Sequence, residues 1–101
     1  MLVLNNLVQV LAARPEVRRV LLFGSRARGD ASERSDIDLA IEAPDATSRQ
    51  WLEIVAMVED TDTLLLFDLV RLEEASEAFK ARILFEGKIL YERSQSGIKP
   101  A

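Results

Sequence analysis

Hydrophobic positions along the chain switch between a helical and a strand period. Leu2, Leu4, Leu7, Val8, Val10 and Leu11 recur at near-helical spacing, so residues 2–13 are predicted as an amphipathic helix that Pro15 stops. Residues 17–23 (VRRVLLF) form a β-branched, apolar run between Pro15 and Gly24 and are predicted as a buried strand. Gly24-Ser25 then makes a turn, with Ser25 a good N-cap for a short helix over residues 26–28. Residues 29–35 (GDASERS) are a polar loop. In residues 36–42 (DIDLAIE) the pattern alternates: Ile37, Leu39 and Ile41 share one face of a strand, and Asp36, Asp38 and Ala40 share the other. Residues 46–60 return to a helical period, with Trp51, Ile54, Val55 and Val58 on one stripe and Leu52 and Met57 widening it. After the turn Thr61-Asp62-Thr63, residues 64–71 (LLLFDLVR) are a third strand, apolar except for Arg71 at its end and Asp68 within it. Residues 73–85 are predicted as a helix with Ala75, Ala78, Phe79, Arg82 and Ile83 turned inward, ended by Gly87 as a C-terminal cap. Residues 88–91 are a short edge strand.

The order α-β-(short α)-β-α-β-α-β predicts a small α/β (α+β) domain, with one mixed sheet and helices packed mainly on one face. At 101 residues the chain has room for one core, here expected over residues 1–93 with a polar tail at 94–101. Acidic residues outnumber basic ones 17 to 13, a net charge of −4 that argues against general nucleic-acid binding. No apolar run reaches membrane-spanning length, and the opening MLVLNNLVQVL lacks the basic flank and cleavage site of a signal peptide, so a cytoplasmic location is expected. The chain has no Cys and no His, which excludes disulfides, thiolate zinc sites, cysteine nucleophiles and imidazole bases. A metal held here would have oxygen ligands, as Mg²⁺, Mn²⁺ and Ca²⁺ prefer.

Asp36, Asp38 and Asp68 interrupt otherwise apolar strands, although Asp is a poor strand former. Two acids at i, i+2 point to the same side of a sheet, and a third on a neighbouring strand would repel them unless a hard divalent cation sat between. The same spacing also fits a solvated sheet face with Asp68 at a strand end. Gly24-Ser25 opens a helical turn whose backbone N–H groups can receive a phosphate, with Arg26 and Arg28 one turn on. It also fits a plain strand–turn–helix junction.

Together, GSRARGDASERSDIDLAI resembles the signature of the polymerase β-like nucleotidyltransferase superfamily. The Gly24-Ser25 pair, Arg28-Gly29, Ser35 and both aspartates stand at its pattern positions. The short length and the preceding strand resemble the minimal nucleotidyltransferase (MNT) group. The resemblance covers residues 17–42 strongly and the strand with Asp68 more loosely.

This resemblance implies a polymerase β palm-like fold. Gly24 and Ser25 would hold the β- and γ-phosphates of a nucleoside triphosphate, most simply ATP. Asp36 and Asp38 would coordinate two Mg²⁺ ions, and Asp68 would bind the catalytic metal and help deprotonate the attacking hydroxyl. Arg26 or Arg28 would steady the leaving triphosphate end. Ser35 would orient the acidic strand, and Asp30 reads as a turn residue. MNT proteins of this size pair with a helical HEPN protein, in toxin–antitoxin versions a ribonuclease toxin that receives AMP on a tyrosine. A small hydroxylated acceptor, or an antitoxin that acts by binding alone, are the alternatives. Leu52 and Met57, beyond the core stripe of the helix at 46–60, are a candidate docking surface, whereas Trp51 and Tyr91 read as structural.

Overall fold

The computed structural model describes residues 2–24, 27, 29, 37–61 and 67–93. Among them, four strands form one sheet: β1 (Arg19–Phe23), β2 (Ile37–Glu42), β3 (Phe67–Arg71) and β4 (Lys88–Glu92), in the order β3-β2-β1-β4. β1 runs antiparallel to β2 and β4, and β2 runs parallel to β3, so the sheet is mixed, as expected. A parallel pair needs a crossover, and helix α2 (Ser48–Glu59) lies in the connection between β2 and β3.

Helices α1 (Leu2–Ala12) and α2 cover one face of the sheet. Leu7 and Leu11 of α1 and Ile54 and Val58 of α2 close over Val20, Ile37, Leu39 and Ile41. The last three, one face of the alternating run in β2, have no exposed surface. Helix α3 (Glu77–Glu86) lies against the opposite face, where Ile83 packs with Leu21, Ala40 and Leu72. Of α1, α2 and α3, the first two thus share one face. Among the described residues no helix is long and apolar enough to cross a membrane.

Polar side chains set the ends of these elements. Thr47 caps α2 by accepting from the Gln50 N–H at 3.1 Å, while Gln50 Oε1 accepts from the Thr47 N–H at 2.9 Å. Arg71 donates from one Nη to the carbonyls of Ala43 and Ala46, each at 2.8 Å, and its guanidinium lies 5.6 Å from the Trp51 ring centre. Trp51 is therefore structural, as expected. Arg93 donates to the carbonyls of Ala12, Arg14 and Val17, tying the end of β4 to the α1–β1 connection, and sits over the Tyr91 ring.

Three expectations need correction. The helix expected over residues 73–85 is two pieces: a single 3-10 turn (Leu72–Glu74), then α3, which starts after Ser76 because that hydroxyl accepts from the Phe79 N–H at 3.1 Å. Ala78 and Arg82 face outward. A helix lying on a sheet through Ile83 presents one narrow stripe, and the residue before it is turned by about 100°. Gly87 ends α3 without a left-handed cap, at φ −74° and ψ 159°. It is needed for space instead, since a Cβ there would lie 2.5 Å from the Ile83 carbonyl oxygen and 3.2 Å from that of Leu22.

Candidate functional site

Burial of Ile37, Leu39 and Ile41 beneath α1 and α2 forces Asp38 onto the other face of the sheet. Strand register then chooses its neighbours. Asp38 pairs with Asp68 across the parallel strands and with Phe23 across the antiparallel ones. Residues directly opposite one another in a sheet project to the same side, so Phe23, Asp38 and Asp68 form a row. The next row, Leu21, Ala40 and Val70, is the one that Ile83 and Leu72 cover. The acidic row keeps access to solvent, with Asp38 half-buried and Asp68 exposed. The carboxylates are thus not lone charges in a core. Their proximity, rather than a burial cost, marks them out.

Gly24, which opens the turn expected to hold phosphate, lies against the same row. Gly24 follows Phe23 at φ +76°, a left-handed conformation that favours glycine. Its carbonyl accepts from the Ala27 N–H at 3.1 Å, and Ala27 is helical and buried on the α1/α2 side. A Cβ on Gly24 would overlap Asp38 Oδ2 and lie 3.0 Å from its Cγ. The Asp38 carboxylate therefore occupies the space that any other residue at 24 would fill, and the backbone of Gly24 runs directly beside it.

Of the expected site residues, the structure brings Gly24, Asp38 and Asp68 together. Ser25, Arg26, Arg28 and Asp36, with Asp30 and Ser35, lie outside the described residues. Among the described residues no three acids, His or Cys gather into a complete metal cage. Two adjacent carboxylates on an accessible face are nevertheless a hard-oxygen donor set that fits Mg²⁺, which keeps part of its water shell and takes one or two carboxylates.

Sequence reasoning missed a cleft of about 170 Å³ beside this row, lined by Phe23, Gly24, Phe79, Arg82, Ile83 and Glu86. Phe23 and Phe79 meet edge to face, with ring centres 5.7 Å apart. The position of Phe23, just before the glycine, was the available signal. The expected docking surface on α2 is narrower than its sequence suggests. Met57 packs partly against the core and Leu52 alone stands out, 66% exposed. The more exposed apolar side chain is Phe85 of α3, at 91%.

The family model for Polymerase beta, Nucleotidyltransferase matches residues 5–96. The protein adenylyltransferase MntA of Shewanella oneidensis is 30% identical over 96 residues, covering 90% of this chain and 66% of its own length. A solved toxin–antitoxin complex with AMP-PNP contains a chain 30% identical to this one, with a TM-score of 0.64 and coverage of 91% of this chain and 76% of that one. A second, of tri-AMPylated Shewanella oneidensis HEPN toxin with MNT antitoxin, gives 26% identity, a TM-score of 0.65 and coverage of 96% and 76%. The chain spans less than two thirds of the length of the first curated relatives it matches, 63% and 66%.

Proposed function

Because the chain belongs to the polymerase β nucleotidyltransferase family, we propose that it moves AMP from ATP to a hydroxyl of a partner HEPN toxin, most simply a tyrosine, and so acts as an antitoxin. One observation carries this reading: Asp38 and Asp68 stand in register, with the Asp38 carboxylate against the Gly24 backbone. The similarity to MntA and to the AMPylated toxin complex supports the donor and the class of acceptor.

In this reading the Gly24-Ser25 turn binds the β- and γ-phosphates. Gly24 lets the backbone approach them closely, and the Ser25 hydroxyl and Arg26 or Arg28 add donors and positive charge. Asp38 and Asp68, with Asp36, would hold two Mg²⁺ ions, which when bound supply charge stabilisation for the entering and leaving oxygens. The acceptor oxygen forms a bond to the α-phosphorus as the bond to the bridging oxygen breaks. AMP passes to the acceptor, pyrophosphate leaves, and Asp68 takes the hydroxyl proton. Asp68 suits that role because it is exposed near the β3 edge of the row, where an incoming protein side chain can reach it.

The test is transfer of label from [α-³²P]ATP to protein by the purified chain with its HEPN partner and Mg²⁺. Asp38→Asn and Asp68→Asn are expected to abolish labelling and leave the complex intact. Neutralisation of the toxin by both variants would favour an antitoxin that acts by binding alone. Label on a small molecule and none on protein would move the acceptor to another class.

A further inference from the structure

Resting on that reading, we propose that the cleft between the end of β1 and α3 receives the base of the nucleoside triphosphate, stacked on Phe79, with the Phe23 ring standing nearly perpendicular at 81° as a side wall. Continuity is the first support. Gly24 lines both the cleft and the turn assigned to the phosphates, and Phe23 belongs to the same row as Asp38 and Asp68. A nucleotide held by its phosphates at the turn has its base within reach of this wall.

The chemistry of the lining is the second. Phe23, Phe79 and Ile83 make the walls apolar, and a cleft of about 170 Å³ holds one planar heterocycle and little more. Phe79 is 37% exposed, so part of its ring surface is available for stacking. At the rim, Arg82 Nε and Glu86 Oε2 lie 3.4 Å apart on consecutive turns of α3. They set a donor beside an acceptor, the pair that the edge of a base presents in return. Among the described lining residues these are the only charges and they are opposite in sign, so that lining favours a neutral heterocycle over a phosphate.

The direction of the reaction favours the base over the acceptor. In an in-line displacement the attacking hydroxyl approaches the α-phosphorus opposite the departing pyrophosphate. Pyrophosphate departs on the Gly24 side, and the cleft shares Gly24. The acceptor is left the β3 edge, where Asp68 is exposed.

The experiment is calorimetric titration of the full chain in Mg²⁺ buffer with AMP-PNP and, separately, with inorganic tripolyphosphate. Phe79→Ala is expected to weaken AMP-PNP about tenfold, the usual value of one stacked base, and to leave tripolyphosphate within twofold. Phe79→Leu keeps apolar bulk at the position and carries the expectation if the alanine variant does not fold; it should weaken AMP-PNP about fivefold with the same indifference to tripolyphosphate. Unchanged AMP-PNP affinity in a folded variant would overturn the base assignment while the nucleotidyltransferase reading stood. Equal losses for both ligands would also overturn it, by making the cleft a phosphate site. A wild-type chain that binds neither ligand would remove the underlying reading as well.

Discussion

Replacing Gly24 by alanine probes the contact on which the site depends, and its cost separates into two parts. The first is conformational: at φ +76° a residue with a Cβ loses roughly 1–2 kcal/mol relative to glycine. The second is the overlap of that Cβ with Asp38 Oδ2, which forces the aspartate out of its rotamer at about 0.5–1.5 kcal/mol. Gly24→Ala should therefore cost about 2–3 kcal/mol in the wild-type background, but only about 1–2 kcal/mol in an Asp38→Ala background, where the overlap is gone. The coupling of about 1 kcal/mol is read from urea unfolding of the four proteins of the cycle, followed by fluorescence of Trp51, the single tryptophan. It corresponds to about 4–8 °C in melting temperature for a domain of this size. Gly29→Ala is the control for backbone strain: Gly29 has φ +84° and, among the described residues, nothing within 4 Å of its would-be Cβ, so its cost should be the same in both backgrounds. On the proposed function, AMP transfer by the folded Gly24→Ala protein should fall at least about 100-fold, since the displaced carboxylate no longer stands where that reaction would need it. Equal cost of Gly24→Ala in the two backgrounds would refute the contact and, with it, the site.

Three further outcomes follow from side chains elsewhere. Arg19 holds Glu42 across β1 and β2 by a hydrogen bond of 2.7 Å from Nε and one of 3.2 Å from Nη, which lowers the Glu42 carboxyl below the ordinary glutamate range. A folded-state value below the unfolded one stabilises at neutral pH and is lost as pH falls through the folded value, so Glu42→Gln should cost about 1 kcal/mol at pH 7. That gap should narrow in urea melts once pH falls below the ordinary glutamate value of about 4.3 and close below the lower folded-state value, and a gap independent of pH would exclude the pairing. Arg71→Ala leaves the carbonyls of Ala43 and Ala46 without this donor and bares one face of Trp51; an expected loss of about 2–3 kcal/mol with altered Trp51 fluorescence, poorly rescued by Arg71→Lys, checks it. Gly87→Ala should destabilise by about 1–3 kcal/mol, through contact with backbone oxygens that cannot move aside, and a neutral melting temperature would contradict the packing described.

The sequence was most readable where one local rule decided the outcome. Alternation in residues 36–42 put Ile37, Leu39 and Ile41 on one face of a strand, and that face is fully buried. The helical stripe at Ile54 and Val58 did the same for α2. Errors arose where a tertiary partner set the local choice. Nothing before the fold distinguishes Gly87 as a close approach to Leu22 from Gly87 as a left-handed cap, because Leu22 is on a strand distant in sequence. Ser76 was hidden inside a pattern that is helical on both sides of it. Strand register, which puts Asp68 opposite Asp38 rather than two residues along, belongs to the paired strands and to neither alone. The cleft was invisible for the same reason, since Phe23 and Phe79 are 56 residues apart and meet only when α3 lies down on β1. Ser25, Arg26, Arg28 and Asp36 rest on the resemblance of the motif alone.

The sheet explains how so small a domain keeps two carboxylates side by side. A register slip of one residue in β2 would send Asp38 into the core between α1 and α2 and bring Leu39 and Ile41 out to water. Each buried aliphatic side chain is worth about 1.5–3 kcal/mol, and burying the charge costs several more, so the slipped pairing is far above the native one. The apolar face therefore fixes the polar one: the forces that seal Ile37, Leu39 and Ile41 also align Asp38 with Asp68 and bring it against Gly24. The acids contribute little to this alignment and gain their position from it. The two carboxylates can then remain accessible, because α3 meets their row at Phe23, through Phe79, and covers the neighbouring row through Ile83, with Leu72 supplying the rest of that cover. A substrate meets two acids already in place on a rigid sheet, and the protein holds them together against their mutual repulsion with folding energy drawn from the opposite side of the same strands.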